Sequence, residues 1–117
     1  MRTVDAGRAE EWAPGTMRLF ADARPPFILV RNGAGVFYAV SPRCPHQGVD
    51  LSAGKLTGAC RPGAPGEYQW TDDVTHLRCP RHGYQFDVRT GQSWFDPAVR
   101  LRTFPVSVEQ GRVLVRL

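Results

Sequence analysis

Two short stretches, Cys44-Pro45-His46-Gln47-Gly48 and Cys79-Pro80-Arg81-His82-Gly83, restrict the fold of this chain more than any other feature. Each begins Cys-Pro, sets one thiol and one imidazole close together and ends in a glycine just past the histidine. The chain has three cysteines and three histidines, so two matched clusters hold four of the six and leave only Cys60 and His76. Such pairing points to one metal site built from two loops. Two sulfur and two nitrogen donors admit either a tetrahedral zinc site or an iron-sulfur centre of mixed ligation.

Spacing favours the second. Zinc modules commonly place paired ligands two to four residues apart, whereas the first pair here is a tighter Cys-x-His. In a Rieske centre, two of the four thiolates of a 2Fe-2S cluster are replaced by imidazoles on one of its irons. Two loop tips that each give a Cys to one iron and a His to the other would span such a cluster. The chain resembles the Rieske 2Fe-2S domain, whose motif is C-x-H-x-G followed later by C-x-x-H-G. The likeness continues through Pro45, Pro80 and Phe86-Asp87 and runs from about Thr16 to the C-terminus.

That resemblance implies an all-β fold, an antiparallel β-sandwich with a small cluster-binding subdomain formed by two loops. It also implies one 2Fe-2S cluster per chain. Cys44 and Cys79 would hold one iron as thiolates, and His46 and His82 the other through the inner nitrogens of neutral imidazoles. Arg43, Gln47 and Gly48 would surround the first ligand pair, and Arg81, Gly83 and Tyr84 the second. Asp96-Pro97 resembles the third loop that covers the cluster, a role carried onto Pro97. His76 is read as a plain strand residue and Cys60 as a free thiol.

Departures from the family pattern bear on the potential. High-potential Rieske proteins carry two further cysteines that join the loops by a disulfide; Val49 and Arg81 stand at those places here. A serine and a tyrosine that donate hydrogen bonds to the cluster are replaced by Tyr84 and Phe86. Hydrogen bonds to sulfur raise the potential. Without these donors the expected value lies near the low end of the Rieske range, roughly −150 mV rather than about +300 mV.

At 117 residues the chain reads as one domain, 1–117, and ten prolines and twelve glycines favour many turns over long helices. Residues 1–15 read as a polar lead-in closed by Pro14-Gly15, with Trp12 packing on the sheet. Strands are expected over 17–20, 26–31 and 36–40, the last two joined by the turn signal Asn32-Gly33-Ala34-Gly35. Residues 57–73, rich in Gly and Pro, read as a long insertion loop with one strand-like piece at 67–70. Further strands are expected over 75–78, 84–88 and from 92 to 95. A closing hairpin is expected from 103–108 and 112–117 around Glu109-Gln110-Gly111.

No run approaches the roughly 20 apolar residues of a membrane span, and residues 1–11 carry no signal-peptide pattern. With two of three cysteines committed to a metal, no internal disulfide is available, which fits a reducing, cytoplasmic setting. The formal charge is +4, with all but one of the fifteen cations arginine. Solvated surface is the plainer reading of that excess. A sharper one is an arginine face, including Arg43 and Arg81, that steers an acidic redox partner. The arginines form no run interleaved with aromatics, so nucleic acid is not an expected partner, and neither is a membrane.

A Rieske oxygenase needs a second iron held by two histidines and a carboxylate, and only His76 would remain for it. No Gly-x-Gly-x-x-Gly loop offers a flavin or nicotinamide site. The expected function is therefore that of a one-electron carrier and not of an enzyme. It would pass electrons from a flavin-dependent ferredoxin reductase to a terminal oxygenase or similar enzyme. Two alternatives are a permanent small subunit of a larger oxidoreductase, such as assimilatory nitrite reductase, and a structural zinc or interaction module.

Overall fold

The run Phe27-Ile28-Leu29-Val30 leaves no polar position to turn toward water, and in the computed structural model all four side chains are fully buried. The structure describes residues 2–43, 51, 55–62, 68–78, 85–93 and 99–117, and over 55–62 and 68–76 the backbone alone. These residues form ten strands in order: β1 (Thr3–Arg8), β2 (Thr16–Phe20), β3 (Phe27–Arg31), β4 (Phe37–Val40), β5 (Lys55–Pro62), β6 (Tyr68–Arg78), β7 (Gln85–Asp87), β8 (Thr103–Phe104), β9 (Val106–Glu109) and β10 (Arg112–Arg116). The helical residues among those described are the 3-10 turn Ala9–Glu11 and Leu51, also in 3-10 conformation. None of their helices is long and apolar enough to cross a membrane.

Among the described residues all strand pairings are antiparallel, in three sheets ordered β1-β10-β9, β2-β3-β4-β8 and β5-β6-β7. The all-β sandwich expected from the sequence is present, with β3 inside it. Successive side chains of a strand point to opposite faces, and β3 divides its four apolar residues accordingly. Phe27 and Leu29, with Phe37 and Ala39 of β4, pack against Ala6, Val113 and Val115 of the first sheet. Ile28 and Val30, with Val40, pack instead against Leu51, Leu77, Phe86, Val88 and Leu101. The second sheet is thus the middle layer between two cores. Each fully buried large side chain contributes about 1.5–3 kcal/mol.

The turn after β3 forms where Asn-Gly-Ala-Gly indicated. Asn32 is buried, and its side-chain Oδ1 accepts the Val36 N–H at 2.9 Å. Gly35 takes φ +85°, a left-handed value that glycine adopts without strain. Arg31 ties this turn to the N-terminal segment. Its guanidinium donates to the carbonyls of Gly35 (3.2 Å), Ala9 (3.2 Å) and Trp12, and it lies 5.1 Å over the Phe37 ring. Trp12 is buried edge-on against Phe37, centroids 5.8 Å apart, as expected of it.

Three expectations change. Residues 1–15 are not a mere lead-in: β1 pairs with β10 and buries Ala6. Only one face of this edge strand is covered, and small residues cover it, so the segment reads as polar. Residues 57–73 are not one irregular loop, because β5 and β6 pair from Lys55↔Arg78 to Pro62↔Tyr68. The β-prone Thr57, Trp70, Thr71, Val74 and Thr75 supply strand propensity, and of the residues that suggested a loop Gly58 and Pro62 lie within β5, while the others fall between the two strands, outside the described residues. Finally, the last hairpin is split at Pro105, which has no N–H to donate to a ladder. β8 pairs with β4, while β9 pairs with β10. Of the strand expected from residue 92, the described part makes only the bridges Phe86↔Ser93 and Gln92↔Arg100.

Candidate metal centre

The middle layer delivers the chain to the first motif. After Val40, the Ser41 N–H donates to the Arg102 carbonyl at 2.8 Å, and the Pro42 carbonyl accepts the Leu51 N–H at 2.7 Å. The segment 44–50 is therefore closed at its base, and Leu51 anchors that base with no exposed surface. The second motif leaves from the β6–β7 pairing, where Leu77 stands opposite Phe86 and Arg78 opposite Gln85. Leu77 and Phe86 are both fully buried in the same core as Leu51.

A third connection, 94–98, starts and ends on that core too. Ser93 N–H donates to the Val99 carbonyl at 3.0 Å, and Leu101 N–H to the Gly91 carbonyl at 2.7 Å. Leu101 belongs to the core and Val99 packs against it. The turn behind this connection is pinned by Asp87. Its carbonyl accepts the Gly91 N–H at 2.6 Å, and its carboxylate accepts from the Arg89 backbone (2.9 Å) and guanidinium (2.8 and 3.0 Å). Gly91 has φ +79°, and a Cβ there would fall well inside contact with the Leu101 carbonyl oxygen.

Cys44, His46, Gln47 and Gly48 lie in the first connection. Cys79, Arg81, His82, Gly83 and Tyr84 lie in the second, and Pro97 in the third. All ten are outside the described residues. Arg43 is described: it is exposed, with its backbone N–H 3.4 Å from Ser41 Oγ. The backbone of His76 sits in β6 between Thr57 of β5 and Asp87 of β7, and Cys60 stands in β5 opposite Trp70. Among the described residues, no three His, Cys, Asp or Glu gather as metal ligands.

The arrangement brings the bases of the two motif-bearing connections, and of the third, onto one shared core. Two thiols and two imidazoles carried on such neighbouring arms are the donor set that a mixed-ligand 2Fe-2S cluster takes. Sequence reasoning did not single out the supporting residues Leu51, Leu77, Gly91 and Leu101, and it met Asp87 only as part of the Phe86-Asp87 likeness. Gly91 carries no such signal in the sequence, since its close approach to Leu101 depends on a residue ten positions away.

Comparison with known proteins agrees. A family model described as the Rieske [2Fe-2S] domain matches residues 2–105. The ferredoxin component of the alkene monooxygenase system of Xanthobacter autotrophicus is 35% identical over 112 residues, covering 96% of this chain and 79% of that protein. A chain of the solved complex of reduced oxygenase and oxidized ferredoxin in carbazole 1,9a-dioxygenase is 29% identical, with TM-score 0.70 and coverage of 97% of this chain and 91% of that one. A putative NADH-dependent nitrite reductase small subunit from Mycobacterium tuberculosis superposes with TM-score 0.71 over 99% of this chain and 96% of that one. At 23% identity, that likeness concerns the fold alone.

Proposed function

The chain belongs to the Rieske [2Fe-2S] domain family, and from that premise we propose that it is the ferredoxin of an oxygenase system, carrying one electron at a time to a terminal oxygenase. The observation that carries this reading is the 35% identity with an oxygenase-system ferredoxin across nearly the whole chain. A solved oxygenase–ferredoxin complex with a similar chain supports the same partner class. On this reading the protein is a carrier and not a catalyst. Its electron donor is a flavin-dependent reductase, and its setting is the cytoplasm.

The four motif residues take the ligand roles: Cys44 and Cys79 bind as thiolates, His46 and His82 as neutral imidazoles. When bound, the cluster supplies a site that accepts and releases a single electron. The chain's part is to hold the ligand arms still while that charge changes. Leu51, Leu77 and Phe86 do so by fixing the bases of both arms in one dry core, and hydrogen-bonded bases resist reorganisation. With Tyr84 and Phe86 where other Rieske proteins have hydroxyl donors, the potential falls near the low end of the range, roughly −150 mV.

The test is the visible and low-temperature electron paramagnetic resonance spectrum of protein purified without oxygen, before and after dithionite. The expected result is a red-brown protein that bleaches and gives a rhombic signal with an average g below that of all-cysteine 2Fe-2S centres. A colourless, zinc-containing protein would overturn the reading. Constant copurification with one large enzyme would replace the exchanging carrier with a permanent subunit, a reading that has only the fold likeness behind it.

A further inference from the structure

We propose that the end of the molecule from which the three connections leave is a cationic docking face for an acidic redox protein. The proposal rests on the carrier reading above and names the chemistry of its partner. Arg43 is the last described residue before the first connection, and Arg78 the last before the second. Arg100 bridges Gln92 just beyond the third, and the Arg102 carbonyl receives the Ser41 N–H beside the first. All four arginines are exposed.

No described residue directly bordering a connection is a carboxylate. The nearest, Asp87, is held by Arg89 at 2.8 Å. The connections themselves carry Arg81 against Asp50 and Asp96. Residues 41–56 and 77–102 together hold seven cationic side chains and three carboxylates, and the rest of the chain holds eight of each. The entire formal charge of +4 therefore belongs to the stretches that form the three connections and their bases. Scattered solvated arginines would not concentrate the excess in this way.

The location matters because exposed charges act over about 10 Å at 0.1 M salt. Only those beside the contact area speed encounter, and a face of one sign raises association rates by roughly 10- to 1,000-fold at low salt. Arginine suits the task, since its planar guanidinium grips a carboxylate with two parallel hydrogen bonds. A partner presenting carboxylates around its own redox centre fits this face; a basic one is repelled.

The experiment follows oxidation of the dithionite-reduced protein by two one-electron haem proteins, acidic cytochrome b5 and basic cytochrome c, at about 100 mM and about 500 mM salt, where exposed charges act only locally. We expect the cytochrome b5 rate to fall about tenfold or more as salt rises and the cytochrome c rate to rise. Arg78→Glu combined with Arg100→Glu should lower the low-salt cytochrome b5 rate by a similar factor with the cluster spectrum unchanged, the rates being compared after correction for the measured midpoint potential of each variant. Arg116→Glu, a single reversal at the end of β10 and so half that charge change, should alter it less than twofold. If the double variant loses its cluster, Arg43→Glu and Arg100→Glu singly carry the comparison. Rates blind to salt and to the sign of the acceptor, or an equal effect from Arg116→Glu, would overturn the docking face. In those cases the cluster spectrum would still uphold the carrier. A wild-type protein with no reducible cluster would instead sink the carrier reading and this proposal together.

Discussion

Leu77 and Phe86 stand opposite one another in the β6–β7 pairing, both fully buried, one register step inside the pair from which the second ligand motif departs. This contact joins the support of the ligand arm to the packing of the core. Removing it should therefore be felt in the metal centre as well as in stability.

Phe86→Ala is expected to cost about 3–5 kcal/mol and to lower the iron content of purified protein. Val113→Ala, in the opposite core, should destabilise without that loss when compared at equal distance below each melting temperature. The checks are chemical denaturation and iron per chain. Equal iron loss in both variants would mean that the cluster responds only to global stability.

Gly91→Ala should destabilise by about 3 kcal/mol or more. The residue has φ +79°, and its new Cβ would press on the Leu101 carbonyl oxygen and approach Thr103 Cγ2 at 3.2 Å. A melting temperature within a degree or two of wild type would show that the turn moves aside at little cost. Gly111, with φ +77° and open space around it, is the control that carries the backbone strain without the clash.

The ligand assignment is tested by spectra. Cys79→Ser and His82→Cys should each abolish the mixed-ligand signal and lower thermal stability, while His76→Ala should leave the visible spectrum intact. A changed spectrum in His76→Ala would mean that the wrong pair of histidines has been assigned.

One ion pair has a pH signature. The hydrogen bond from Arg112 to Asp5 at 2.6 Å, helped by the Gly7 N–H at 2.9 Å, holds the Asp5 carboxyl below its ordinary value. A depressed carboxylate contributes stability above its unfolded value and loses it as pH falls through the folded one. Asp5→Asn should therefore melt slightly lower than wild type at pH 7, with the gap closing on acidification and narrowing in high salt. The group is exposed, so the gap is small. A gap that widened toward acid pH would contradict the assignment.

Much of this molecule was legible in its sequence because its signals are local. The Asn32-to-Gly35 turn, the buried Phe27-to-Val30 strand and the paired Cys-Pro motifs each need only a few neighbouring residues to be recognised. What escaped depends on distant partners. β1 looked like a polar lead-in because its value comes from β10, more than a hundred residues away. The β5–β6 pairing was hidden by the prolines and glycines within β5 and between the two strands. Pro105 looked like an ordinary strand residue, although it marks where the chain passes from the middle sheet to an outer one. Of the candidate site, the ligand motifs were plain, but most of the residues that prop them up were not, since Leu51, Leu77 and Leu101 resemble any other core residues until the fold brings them together.

The double burial of β3 changes what holds that strand in place. In a half-exposed strand, a slip of one residue would bring polar groups into the core, and that penalty fixes the register. Phe27-Ile28-Leu29-Val30 carries no such penalty, since every position is apolar. Its alignment must instead be set by side-chain size, by the Asn32 turn and by Arg31, whose guanidinium reaches the Ala9, Trp12 and Gly35 carbonyls. Arg31 thus serves as a positional stop, and a chain lacking it would have a competing alignment in which the two cores exchange their occupants.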